Sequence, residues 1–172
     1  PSSKMGKMRP MRFSGDSYEQ IVKDFDWEIP ARFNIAVACA DDWAAREPGR
    51  VALRRWREDG PETVTTYSDL TSLSSRFAHG LCGLDGATGD RVAIVLPQSL
   101  ETVVAHLAIY RAGMIAVPLA RLFQADALEF RLRRAGAAIV VTDRSGADKI
   151  ASIRERLPDL RHVIVVDSAA GD

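Results

Sequence analysis

From residue 91 onward, short apolar runs alternate with helical stretches, and this alternation narrows the possible folds more than any other feature. Arg91-Val92-Ala93-Ile94-Val95-Leu96 is a continuous apolar run closed by Pro97. Continuous hydrophobicity, rather than every second residue, is what a parallel strand covered on both faces requires. Ser99 can cap a following helix that carries Leu100, Val103, Val104, Leu107 and Arg111 along one side, and Gly113 ends it where a left-handed residue is wanted. Met114 to Leu119 reads as the next strand, Ala125 to Ala135 as a helix stopped by Gly136, and Ala137 to Thr142 as a second buried strand. A helix over Asp148 to Leu157, with Ile150, Ile153 and Leu157 aligned and Pro158 as its stop, leads to a last strand from His162 to Val166. Strands alternating with helices of this length predict an α/β fold, three-layer α/β/α with a mainly parallel sheet.

Upstream the pattern differs. Residues 1–17 are polar and basic and read as a flexible tail. A helix is predicted from Ser17 to Trp27, with Tyr18, Ile21, Val22 and Phe25 at helical spacing and Ile29-Pro30 as its end. A second helix, Ile35 to Arg46, would place Ile35, Ala38, Cys39 and Trp43 on one side before Pro48-Gly49. Val51 to Trp56, a turn at Glu58-Asp59-Gly60-Pro61 and Thr63 to Tyr67 form a hairpin signal. Ser68 can cap the next helix, striped by Leu70, Leu73, Phe77 and Leu81, and Gly83 to Gly89 is a glycine-rich connection. The expected organisation is a tail (1–17), N-terminal helices and hairpin (18–67) and an α/β subdomain (68–172).

Composition removes several function classes. The 172 residues carry 23 lysines and arginines against 23 aspartates and glutamates, so no net charge draws the chain to nucleic acid or an anionic membrane. The basic clusters Arg54, Arg55, Arg57 and Arg131, Arg133, Arg134 are interleaved with other residues and read as solvated faces. No run approaches the roughly 18 apolar residues of a membrane span. The basic start PSSKMGKMRPMRF has no apolar core and is not a secretory signal. Cys39 and Cys82 fall in apolar helical patterns, where free cysteine behaves as a small hydrophobe, and no cysteine or histidine cluster suggests a metal. A reduced, cytoplasmic protein is the expectation.

Site chemistry is sparse. There is no GxxxxGK[ST] and no GxGxxG opening a helix after a strand, and the glycines at 80, 83, 86 and 89 follow a helix rather than a strand. His79, His106 and His162 are scattered, with no serine or cysteine partner beside them. Asp41 and Asp42 adjoin on a helix and point apart. Asp143 and Asp167 end predicted parallel strands, the edge where open α/β sheets bind ligands, with loop capping as their simpler role. No catalytic and no metal-ligating residue is predicted.

An ordered set of segments carries more than any single motif. WAAREPGRVALRRW (43–56), TYSDLTSLSSRFAHGL (66–81), GDRVAIVLPQSLETVVAHLAIYRAGMIAVPL (89–119) and ADALEFRLRRAGAAIVVTD (125–143) follow one another in order. Together they resemble the N-terminal region of the acyl-adenylate-forming (AMP-binding) superfamily, which includes acyl-CoA synthetases, luciferases and peptide-synthetase adenylation domains. Asp69 stands where that family often has glutamate. PARFNIAVACADDWA (30–44) resembles the lead-in of acetyl- and medium-chain-type acyl-CoA synthetases, and leans the reading toward a CoA ligase.

The resemblance implies a two-step reaction in which a carboxylate attacks ATP to give an acyl-adenylate and pyrophosphate, after which the CoA thiol attacks the adenylate. It implies ATP, Mg2+ and CoA as cofactors of the full-length enzyme, with none expected on this piece, and a small-molecule carboxylic acid as substrate. The family's Ser/Thr/Gly-rich phosphate loop, ribose-binding aspartate and C-terminal lysine do not occur in residues 1–172. In acetyl-type relatives, basic residues after the strand matching Ile139–Thr142 reach the CoA phosphates; Arg144 and Lys149 lie in that stretch.

Two functions of different class fit. One is an inactive N-terminal portion of an acid–CoA ligase; the other is a stand-alone, non-catalytic α/β binding or assembly module. Ala169-Ala170-Gly171-Asp172 follows a strand in mid-fold, which favours truncation, and the open sheet edge and apolar surface left by it predict self-association.

Overall fold

The computed structural model describes residues 17–26, 30–57 and 60–166. The chain divides into two compact units, residues 1–33 and 34–172. In the first, α1 (Tyr18–Asp24) is capped by Ser17, whose hydroxyl accepts from the Gln20 amide at 3.2 Å. The helix ends three residues short of the predicted Trp27, because Phe25 is already extended. None of its residues is buried, so the stripe read from Tyr18 and Val22 faces water. Trp27 and Ile29 lie outside the described residues.

The second unit is built on a parallel four-stranded sheet of order β4-β3-β5-β6. Its strands are β3 (Arg91–Val95), β4 (Ile115–Pro118), β5 (Ala137–Thr142) and β6 (His162–Val165). The layers follow from the pleat, which sends successive side chains to opposite faces. Val92 and Ile94 of β3, with Ile139 and Val141 of β5, pack against α3 (Tyr67–Gly83) and α4 (Leu100–Arg111). Ala93, Val95 and Val140 pack against α5 (Ala125–Ala135) and α6 (Arg144–Ala151). All six residues of β5 are buried, as its unbroken apolar run predicts. Full burial of each Ile, Leu or Val on these faces contributes about 1.5–3 kcal/mol. The expected three-layer α/β/α fold is the one observed.

The crossovers have a consequence for ligand binding. The chain runs from β3 through α4 to β4 on one side, then back through α5 to β5 on the other. Adjacent strands β3 and β5 therefore send their carboxyl ends to helices on opposite faces of the sheet. That divergence is a topological switch point, where open α/β sheets leave a crevice.

Helix limits follow local chemistry, with three further departures from expectation in the second unit. α3 begins at Tyr67 with Thr66 as its cap, not Ser68: the Thr66 hydroxyl accepts from the Asp69 amide at 3.1 Å, and the Asp69 carboxylate accepts from the Thr66 amide at 3.1 Å. This reciprocal pair is a capping box, so the aspartate found where glutamate is common still does the glutamate's work. α6 begins at Arg144 rather than Asp148, because Asp143 caps it through the Gly146 amide at 2.7 Å. It ends at Ala151; a short 3-10 turn, Arg154–Arg156, carries the chain on, with Ile150, Ile153 and Leu157 buried as predicted. The predicted ends at Gly113 and Gly136 hold, both glycines lying at positive φ (70° and 57°).

The third departure is the helix predicted over Ile35 to Arg46. It contains a π-helical stretch, Val37–Asp41, followed by α2 (Asp42–Arg46). The wider turn rotates the buried face: Ala36 and Ala40 lie against Leu70 and Leu107, while Ile35 and Cys39 are exposed. Cys82 is also exposed, so neither cysteine serves as a core hydrophobe as expected. Trp43 stacks on Tyr67, ring centroids 5.9 Å apart, with the Arg50 guanidinium 4.3 Å over its ring. The hairpin β1 (Val51–Arg57) and β2 (Gly60–Thr66) starts its return earlier than predicted, at Gly60-Pro61. A two-stranded ribbon is all edge, so it tolerates a proline at a strand start.

Candidate functional site

The carboxyl ends of β3 and β5 form the candidate site. The two strand ends are bridged by Thr142, whose hydroxyl donates to the Val95 carbonyl at 3.0 Å. After β3 the chain turns at Pro97, whose carbonyl accepts from the Thr102 hydroxyl at 2.6 Å, and Ser99 caps α4. After β5 it turns at Asp143, which is almost fully buried. One Asp143 oxygen accepts from the Gly146 amide; the other accepts from Arg121 Nε at 2.7 Å. Gly146 is required by space: a Cβ there would overlap the Thr142 hydroxyl.

Arg121 comes from the loop after β4. That loop leaves the sheet with the Leu119 amide bonded to the Ile94 carbonyl at 2.9 Å, and crosses to α5 on the other face. Lys149 pins it from α6: Nζ donates to the Arg121 carbonyl at 3.2 Å and to the Phe123 carbonyl at 3.1 Å. Leu122, between those two carbonyls, is 87% exposed.

The two residues expected to meet CoA phosphates therefore sit differently. Arg144 is exposed at the start of α6, next to Asp143, and its guanidinium makes no hydrogen bond or ion pair among the described residues. Lys149 is half-buried and bonded to backbone carbonyls of the neighbouring loop. Asp143 caps and pairs, the simpler of its two predicted roles; Asp167 lies outside the described residues. Arg121 and Gly146 were not singled out by the sequence. The spacing Asp143-x-x-Gly146 was the available signal for the glycine, since it matches a helix cap with its bonded amide three residues on.

The other predicted groups serve structure. Asp41 and Asp42 diverge as expected, Asp41 to Arg111 and Asp42 to Arg46. Hydrogen bonds from Arg111 hold the Asp41 carboxyl below its ordinary range, against desolvation. His106 Nδ1 meets the Tyr110 hydroxyl at 3.2 Å, and burial pushes the imidazole toward its neutral form. His79 Nδ1 lies 3.2 Å from the Ser75 carbonyl oxygen. Of the basic clusters, Arg54 pairs with Glu62, Arg133 with Glu129, and Arg131 lies over the Phe123 ring at 4.0 Å. Among the described residues no three His, Cys, Asp or Glu side chains are grouped to hold a metal ion. A separate apolar groove of about 430 Å³ runs between α3 and α4, lined by Leu73, Phe77, Leu100, Val104 and Val166 with Arg76 and Glu101 at its polar positions.

Comparison with known proteins decides the family. The model of a family described as AMP-binding enzyme matches residues 40–172. The chain belongs to this family. It is 32% identical over 166 residues to mouse (Mus musculus) "Acyl-coenzyme A synthetase ACSM3, mitochondrial", covering 91% of this chain and 28% of that protein. It is 32% identical over 158 residues to the acetyl-coenzyme A synthetase of Chromobacterium violaceum, covering 86% of this chain and 24% of that protein. Among solved structures it matches the Brucella canis acyl-CoA synthetase at 28% identity with a TM-score of 0.76, over 91% of this chain and 30% of that one. The chain thus spans about a quarter of the length of these curated relatives. No helix among the described residues of this AMP-binding family member is long and apolar enough to cross a membrane.

Proposed function

We propose that this chain is the N-terminal portion of an ATP-dependent acid–CoA ligase. The observation that carries the reading is the match of residues 40–172 to the AMP-binding family, joined with an acyl-CoA and an acetyl-CoA synthetase as relatives over 91% and 86% of the chain. In the parent enzyme a carboxylate oxygen attacks the α-phosphorus of ATP and expels pyrophosphate. The CoA sulfur then attacks the acyl carbonyl and expels AMP. ATP with Mg2+, CoA and a small-molecule carboxylic acid are the ligands of this reaction. The division into a tail (1–17), an N-terminal part (18–67) and an α/β subdomain (68–172), and a cytoplasmic setting, belong to the same reading.

Within this chain the proposed contribution is scaffold and one cation. Arg144 is exposed beside the switch point, without a partner among the described residues, and is assigned to the CoA phosphates, where a guanidinium can form paired hydrogen bonds to phosphate oxygens. The exposed groove lined by Leu73, Phe77 and Val104 supports self-association of the isolated chain, which a monodisperse monomer in light scattering at high concentration would contradict.

The test uses the protein encoded by the whole reading frame. Pyrophosphate release is measured with a panel of acids from acetate to long-chain fatty acids, and thioester formation with and without CoA. Acid-dependent pyrophosphate release followed by CoA-dependent thioester is the expected result. Absence of both with every acid overturns the reading and favours a non-catalytic module.

A further inference from the structure

The loop after β4 is held by two basic side chains that bond to neighbouring segments of the chain. Arg121 gives its Nε to the nearly buried Asp143 carboxylate, and Lys149 gives two of its three N–H donors to the carbonyls on either side of Leu122. Neither arrangement follows from helix or sheet formation, since all three residues lie in different segments: the β4–α5 loop, the residue after β5, and the last turn of α6. Asp143 is also the residue that caps α6, so it links the loop to the first turn of that helix. Arg144 is the next residue along the chain. The loop and the first turn of α6, where Arg144 stands, are thus joined through the one Asp143 carboxylate.

We propose that Lys149 and Arg121 are positioning residues that lock the 119–124 loop against Asp143 and thereby aim Arg144 at the phosphates of CoA. Lys149 acts through the loop backbone and does not itself touch the ligand. The inference rests on the acid–CoA ligase reading for the identity of the ligand, while the lock itself is a property of the chain alone. It separates two basic residues that share one helix: Arg144 meets phosphate, Lys149 meets carbonyl oxygen.

The experiment uses the full-length protein and the variants Lys149→Met, Lys149→Arg, Arg121→Gln and the double variant Arg121→Gln with Lys149→Met. Amide hydrogen exchange over residues 119–124 reads the lock without any ligand. Steady-state kinetics with CoA varied, and acid-dependent pyrophosphate exchange without CoA, read its consequence. Lys149→Met and Arg121→Gln are each expected to speed exchange in that loop and raise the KM for CoA about tenfold with little change in kcat. The double variant should be no worse than either single one, because both act through one loop, and Lys149→Arg should restore most of the loss. Pyrophosphate exchange should stay unchanged in all of them.

Unchanged amide exchange in the loop overturns the lock. Faster exchange with an unaltered CoA KM overturns the aiming role. Additive losses overturn the common route and leave Lys149 as a direct contact. If the unaltered protein forms no adenylate with any acid, the ligase reading fails and the CoA role falls with it, which the exchange measurement distinguishes from failure of the lock.

Discussion

Both terminal nitrogens of Arg111 donate to the two carboxylate oxygens of Asp41 at 2.6 Å, joining positions 70 residues apart. Arg111 also reaches the Ser74 hydroxyl at 3.2 Å, so the pair ties the π-helical stretch to α3 and to the end of α4. Asn34 reinforces it: its amide nitrogen donates to the Tyr110 and Arg111 carbonyls, and its oxygen accepts from the Ala36 and Val37 amides. Asn34 therefore has a physical use, since one side chain caps both the exit of α4 and the entry of the helical stretch that begins at residue 35.

Replacing Asp41 by Asn should lower stability by roughly 2 kcal/mol at neutral pH, the scale of a hydrogen bond to a charged group, with both side chains still partly solvated. The Asp41 carboxyl is held below its ordinary range, so its contribution is complete above the unfolded carboxylate value of about 3.9 and is lost as pH falls through the folded value. Urea unfolding at pH 7 and in strong acid should show the two proteins converging at low pH. A gap that persists there would contradict the pairing.

The cap of α3 gives a second contrast. Thr66→Ala removes the hydroxyl that accepts from the Asp69 amide and should cost about 1 kcal/mol, whereas Ser68→Ala, inside the first turn, should cost little. Asp69→Glu should preserve the capping box. Thermal melts of the three variants would settle whether Thr66 or Ser68 starts the helix.

Gly146→Ala places a methyl group onto the Thr142 hydroxyl, which is itself fixed on the Val95 carbonyl. A loss of roughly 1–3 kcal/mol is expected from the forced overlap. Combining it with Thr142→Ala should recover part of that loss, because the obstructing atom is gone. An unchanged melting temperature in Gly146→Ala alone would show that the strand end is looser than described.

Cys39 and Cys82 are both exposed and unpaired. A thiol reagent should therefore label both in the folded protein without denaturant. Labelling that requires unfolding would restore the core role read from their apolar neighbours.

Local chemistry carried much of the architecture. The unbroken runs at Arg91–Val95 and Ala137–Thr142, the cap at Ser99 and the stops at Gly113 and Gly136 could be read directly, because each depends on neighbours within a few residues. The ordered segments between Trp43 and Asp143 carried the family. The shift of α6 to Arg144 and the cap at Thr66 were misplaced because Ser, Thr and Asp compete to start a helix, and spacing alone ranks several candidates equally.

What the sequence by itself determined is therefore the alternating α/β pattern, the burial of its central strands and the family to which the chain belongs. Tertiary structure alone decided which charges are free. Lys149 and Arg144 look alike in one dimension, yet one lies against the carbonyls of a loop 26 and 28 residues upstream in the chain, while the other is exposed and has no partner among the described residues. The same holds for the turn at 37–41, where the wider helical pitch buried Ala36 and Ala40 and exposed Cys39. Hydrophobic pattern and caps act within a few residues, whereas the partner of a charge is set by the crossovers that bring distant segments to one edge of the sheet.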